Sequence, residues 1–173
     1  MKVERAKMAT NGDGLMGDRD KCPMPVSGFA QLRRANRCIT RLYNLVLSSC
    51  GLKATQYVLL QTIGDANEVS QHELANTLSI ASATLSRRLA GLKKKGLVKS
   101  RVDKRASRIY AITPSGKAII RSADLQWRSA EQRLRRTLGE SKWRLFLDVC
   151  EEVYVAAEEA EGLRMALDSN GHR

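Results

Sequence analysis

Between residues 70 and 116 the apolar residues change their repeat, and that change leaves few folds open. Residues 70–78 and 81–95 carry apolar side chains at helical spacing and meet at the short link Ser79-Ile80-Ala81. Ser70-x-x-Glu73 is a capping box, in which each side chain satisfies the other's exposed backbone N–H, so it marks where the first segment starts. Gly96 stops the second. Two stretches rich in β-formers follow, 97–102 and 108–113, separated by four polar or small residues at 104–107. Two helices with so short a link have the proportions of a helix-turn-helix, and the hairpin behind them reads as a two-stranded wing. Charge is concentrated in the same place. Residues 87–108 hold ten Lys and Arg against Asp103 alone, a net +9 out of +12 for the whole chain. So dense an excess is the footprint of a polyanion.

The second helical segment shows how such a partner would be read. Ala81, Leu85, Leu89 and Leu92 form one apolar stripe. At 100° per residue the opposite face is Ala83, Arg87, Ala90 and Lys94, flanked by Thr84, Arg88 and Gly91 on one side and by Ser86 and Lys93 on the other. Small residues let a backbone approach a DNA groove closely, while Thr84, Ser86 and Arg87 are donors able to reach base edges and phosphates. The N-terminal half of the second helix is the part that meets bases in a helix-turn-helix, which ranks Ser82, Thr84, Ser86, Arg87 and Arg88 ahead of Lys93–Lys95. The lysine run reads either as a phosphate contact or as a solvated helix end whose cations offset the helix dipole. At the wing tip Lys104, Arg105, Ser107 and Arg108 suit a minor-groove or phosphate contact. Asp103, which phosphates would repel, is expected to orient Arg105 or Arg108.

The flanking regions have a different character. Residues 1–26 mix glycine, proline and charge without period and read as a flexible tail. Ser27 is the expected N-cap of a long amphipathic helix, with Phe29, Leu32, Ile39, Leu42, Tyr43, Val46 and Cys50 on its apolar stripe. Its other face carries Arg33, Arg34, Arg37 and Arg41, either a solvated face or cations for a ligand carboxylate or phosphate. A shorter helix is expected from Ala54 to Ile63, with Leu59, Leu60 and Ile63 inward and Gly64 through Asn67 stopping it. Thr113-Pro114 announces another long helix, an N-cap followed by proline in the first helical position. Gly139 breaks that helix, and the last one runs to about Leu167. There Phe146, Cys150, Val153, Ala157, Ala160, Arg164 and Leu167 alternate steps of four and three, as in a coiled-coil seam. Residues 140–168 carry a net −5, so the acidic end is expected to face away from DNA. Three long helices cannot bury their stripes on so small a centre, and a two-fold dimer is the expected solution.

The expected fold is therefore mainly α with a small β-hairpin wing. A winged helix-turn-helix DNA-binding domain at 51–113 is flanked by helical dimerisation regions at 27–50 and 114–168, and residues 169–173 form a flexible end. Other classes fit poorly. No apolar run approaches the roughly 18 residues that would span a bilayer. The N-terminus lacks the apolar core of a secretion signal, and with the high basicity a cytoplasmic, nucleoid-associated protein is expected. Cys22, Cys38, Cys50 and Cys150 show no C-x-x-C spacing, and neither His72 nor His172 neighbours a cysteine, so no metal or other cofactor is expected. Neither a phosphate-binding glycine loop nor a nucleophile elbow is present, and enzymatic activity is not expected.

These residues resemble the multiple antibiotic resistance regulator (MarR) family of bacterial winged-helix proteins. The resemblance is carried by Gly51-Leu52-x-x-x-Gln56-Tyr57-x-Leu59-Leu60, Glu73-Leu74-Ala75, Ala83-Thr84-Leu85-Ser86-Arg87, Lys95-Gly96-Leu97-Val98, Asp103-x-Arg105 and Ile112-Thr113-x-x-Gly116. Lys53 departs from it, standing where the family often has a capping Thr or Ser. The resemblance implies a homodimer on a pseudo-palindromic double-stranded operator. Ser82, Thr84, Ser86, Arg87 and Arg88 would lie in the major groove and Arg105 in the minor groove. It also implies release of DNA by a small aromatic or carboxylate effector, which places Arg33, Arg41, Tyr43, Tyr57 and Trp127 as candidate ligand residues. In a second reading an oxidant acts on Cys22 or Cys38, since a thiol sensor needs exposure and nearby cations. A non-specific architectural DNA binder would share the charge footprint but discriminate little between sequences.

Overall fold

A computed structural model of the protein describes residues 27–104 and 106–170, with side chains placed through 162. Helix α1 is Gly28–Leu47, extended by a single 3-10 turn at Ser48–Cys50. Then come α2 (Ala54–Ala66), β1 (Glu68–Ser70), α3 (Gln71–Thr77), α4 (Ser82–Lys94), β2 (Val98–Val102), β3 (Arg108–Ile112), α5 (Pro114–Leu138) and α6 (Glu140–Asn170). The chain divides into two compact units between Ile39 and Thr40, within α1. In the first, Ser27 Oγ accepts the Ala30 N–H at 3.2 Å, which makes it the expected N-cap, and Arg33 lies over the Phe29 ring. Phe29 and Leu32 are exposed.

The second unit contains the core. Leu47, Leu60, Ile63, Leu74, Leu85, Leu89 and Leu92 are fully buried, and each such side chain contributes about 1.5–3 kcal/mol relative to exposure. The stripe of α4 thus lies inward as its period requires. Ala81 does not belong to it: it is the exposed N-cap residue, outside the helix.

Local signals set most boundaries. Glu73 N–H donates to Ser70 Oγ at 3.1 Å and Ser70 N–H to Glu73 Oε2 at 2.8 Å, completing the capping box. Thr113 caps α5 through the Gly116 N–H, with Pro114 in the first turn. Gly96 adopts φ 70 after α4, which favours glycine. Lys53 has no acceptor with which to cap α2, and other groups supply the caps. Gln56 Oε1 accepts the Lys53 N–H at 3.0 Å, and Asn44 Oδ1, from α1, accepts the Ala54 N–H at 2.8 Å.

Two features differ from the expectation. Gly64 does not stop α2, which continues to Ala66. A Cβ at Gly64 would lie 3.5 Å from Ile112 Cδ1 and 3.6 Å from Ile120 Cδ1, so the residue packs closely against β3 and α5. The sheet has three antiparallel strands in the order β1-β3-β2, because Glu68–Ser70 adds an edge strand to the hairpin. Tyr110, mid-way along β3, pairs with both Val69 and Ser100. The last helix keeps little of its seam under cover within this chain, in line with the expectation that so small a centre cannot bury it. Trp143 is buried and Phe146 half-buried, but Cys150, Val153, Ala157 and Ala160 are exposed.

Candidate nucleic-acid interface

Helices α3 and α4 meet through the Ser79-Ile80-Ala81 turn, where Ser79 takes a φ of 46. The buried leucines of α4 turn its other side outward. Ser82, Ser86 and Arg87 are exposed, while Thr84 and Arg88 are half-buried. Ser86 is not simply solvated: its Oγ accepts from Gln71 Nε2 at 2.7 Å, and Gln71 Oε1 accepts from the Tyr110 hydroxyl at 3.3 Å. Ser82, Ser107 and Arg108 line one groove with Ser70, Gln71, His72 and Ala75, about 320 Å³ in volume. The structure therefore brings the start of the reading helix and the base of the wing to one concave polar surface.

Position and partners sort the cations. Lys93 Nζ donates to Ser100 Oγ at 3.1 Å, and Lys95 Nζ to the Gly51 carbonyl at 2.9 Å. These two lysines thus tie α4 to β2 and to the end of the 3-10 turn. Arg101, counted above with the basic excess, pairs with Glu68 on β1 at 2.8 Å. The Arg101 bond holds the Glu68 carboxyl below the ordinary carboxylate range. Lys104 and Arg108 remain exposed on the wing. Arg105 lies outside the described residues, as does Cys22. Asp103 acts on the backbone of the tip: its Oδ1 accepts the Ser107 N–H at 2.8 Å, which closes the loop around Ala106 at φ 58. This is a turn-forming role that the expected one, orienting an arginine, did not include.

Three of the candidate ligand residues come together. The Trp127 ring lies 4.1 Å from Tyr43 and 4.6 Å from Tyr57, measured between centroids, so one stack joins α1, α2 and α5. Tyr57 donates its hydroxyl hydrogen to Asp124 Oδ1. Burial, then that bond, pushes the Tyr57 phenol well above its ordinary range; burial, then the Glu131 charge, also raises Tyr43. Both phenols stay neutral at physiological pH. Arg41 is exposed on α1, and Arg33 lies in the first unit against Phe29. Cys38 is exposed and Cys50 half-buried. Among the described residues no cluster of three His, Cys, Asp or Glu could hold a metal ion, and no helix is long and apolar enough to cross a membrane.

Residues 51–108 match the model of the MarR family. That match spans 58 of the chain's 173 residues. Members of that family are DNA-binding transcriptional regulators. Solved structures share the fold. A mutant of MarR from E. coli complexed with operator DNA is 24% identical, with a TM-score of 0.67 over 71% of this chain and 90% of that one. The oxidized form of MarR from E. coli is 23% identical, with a TM-score of 0.63 over 76% and 96%. A MarR-family regulator from Rhodococcus sp. RHA1 is 20% identical, with a TM-score of 0.65 over 72% and 90%. A comparison with curated proteins found no match. Sequence reasoning missed Gln71 and Asn44, whose partners on α4, β3 and α2 become visible only when the chain is folded.

Proposed function

We propose that the protein is a repressor that binds a pseudo-palindromic operator as a homodimer and is released by a small aromatic or carboxylate-bearing effector. The observation that carries this reading is the outer face of α4. Ser82 shares a groove with Ser107 and Arg108 at the wing base, and Ser86 and Arg87 are exposed on the same helix, above a stripe of fully buried leucines. That arrangement offers a helix to a major groove and cations to the neighbouring phosphates. The related E. coli protein, in one mutant, has been crystallised with operator DNA. The dimer reading draws on the exposed apolar residues of α6, including Leu145, Val149 and Val153. The effector reading draws on the Tyr43–Trp127–Tyr57 stack. An aromatic ring inserted there would separate α1 from α2 and α5.

The test is selection of DNA from a random pool by the purified protein, with and without a panel of aromatic acids. The expected result is an inverted repeat whose recovery falls when an effective acid is added. Random recovery would refute sequence-specific reading, and recovery indifferent to every acid would refute the effector.

A second reading, a thiol switch, is favoured by the exposure of Cys38 between Arg37 and Arg41. It requires peroxide to release DNA from the native protein but not from Cys38→Ser.

A further inference from the structure

We infer that Gln71, on α3, sets which base α4 can accept opposite Ser86. The inference rests on the reading of α4 as the base-contacting helix. The observation is a three-residue relay across three elements: Tyr110 on β3 donates to Gln71 Oε1, and Gln71 Nε2 donates to Ser86 Oγ on α4.

The direction of the relay is fixed by its buried end. Tyr110 is only 4% exposed, and its hydroxyl hydrogen has no other acceptor among the described residues. A buried donor left unsatisfied costs about 1–3 kcal/mol, so the Gln71 amide turns its oxygen to Tyr110. Its NH2 group then faces Ser86. A serine hydroxyl has one hydrogen to give and two lone pairs. Gln71 occupies a lone pair, and Ser86 donates to nothing among the described residues. The hydroxyl of an exposed Ser86 is therefore presented to DNA chiefly as a donor.

In the major groove the acceptors that a donor here tells apart from amino groups are guanine O6 and thymine O4. The amino groups of cytosine and adenine, which are donors, do not match. Gln71 is thus a positioning residue. It need not touch DNA to decide the hydrogen-bond sense of the side chain that does. The relay also reaches the wing through Tyr110, a polar link between the reading helix and the sheet besides that of Lys93 to Ser100.

Gln71→Glu reverses the sense. A carboxylate only accepts, so it takes hydrogens from both Tyr110 and Ser86 and leaves Ser86 its lone pairs for DNA. The Ser70–Glu73 box is untouched, and an acidic residue in the first helical turn is favourable. The experiment is sequencing of DNA selected by the native protein and by Ser86→Ala, Gln71→Glu and Tyr110→Phe, each compared at equal recovery, because the added charge weakens binding to every sequence. Ser86→Ala should lose preference at one base pair per half-site, a change of roughly three- to tenfold. Gln71→Glu should change the base chosen at that pair to cytosine or adenine, contacted through its amino group. Tyr110→Phe, which keeps the ring, should relax the choice there and leave the rest of the motif alone. A pair that keeps its native base and discrimination in both Gln71→Glu and Tyr110→Phe overturns the inference, as does an unaltered motif in Ser86→Ala. Failure of the native protein to select any motif would overturn the reading of α4 itself, and the inference with it.

Discussion

Helix α4 and helix α6 were both legible as amphipathic, yet the chain treats them in opposite ways. On α4, Leu85, Leu89 and Leu92 are completely buried against the rest of the winged helix. On α6, Leu145, Leu147, Val149, Val153, Tyr154 and Val155 are all 44–60% exposed. A hydrophobic period states that a face will be covered; it does not state by which chain. The reader is a centre that its own residues complete. The last helix has more apolar surface than its own chain covers, apart from Trp143 and such ties as the Ser79 hydroxyl on Tyr154 at 3.2 Å. Leu145, Val149 and Val153 recur every four residues along it, and it is on this open stripe that the proposed dimer draws.

Truncation should separate the two regions most strongly. Leu89→Ala is expected to lower the unfolding free energy by about 2–5 kcal/mol. Val149→Ala, measured by urea unfolding at dilute concentration, should stay within about 0.5 kcal/mol of the native protein. A large loss from Val149→Ala under those conditions would mean that α6 is part of the reader's own core. Next in size, Arg87→Ala should cost roughly 1–3 kcal/mol of operator binding and relax one base position. Lys104→Ala should instead weaken all sequences alike and flatten the salt dependence, as a phosphate contact does. Titrations against operator and random DNA at several salt concentrations distinguish the two. Ser70→Ala should cost about 1 kcal/mol through loss of the α3 cap, readable as a lower urea midpoint.

The smallest effect concerns pH. The Ser70 N–H holds the Glu73 carboxyl below the ordinary carboxylate range. A carboxylate depressed on folding stabilises the folded state above its unfolded value, and that contribution disappears as pH falls through the folded one. Glu73→Gln should therefore melt slightly below the native protein at pH 7, with the gap shrinking as the pH falls through the acid range. A gap that does not shrink in acid would show that the carboxylate's charge is not its source.

Signals carried by neighbouring residues were readable in advance. The Ser70–Glu73 box, Thr113-Pro114 and the α4 stripe each depend on spacings of four residues or fewer. Contacts between distant segments were not. Glu68–Ser70 is too short to show a period and becomes a strand only by pairing with Ile109–Ala111. Gly64 looked like a helix stop because glycine disfavours helices, but its missing side chain admits Ile112 and Ile120. Lys93 and Lys95 looked equivalent to Lys94 until Ser100 and Gly51 claimed their ammonium groups. In the site, the outward face of α4 followed from helical geometry alone. The Tyr110–Gln71–Ser86 relay did not, because its three residues come from three elements.

The central claim is that one chain supplies half of a two-fold reader. Its most direct test is the spacing in the DNA that the purified native protein selects from a random pool. The expected result is two inverted copies of one half-site, centred about 10–10.5 base pairs apart, one helical turn. A single unpaired motif, or two copies in direct orientation, would contradict it.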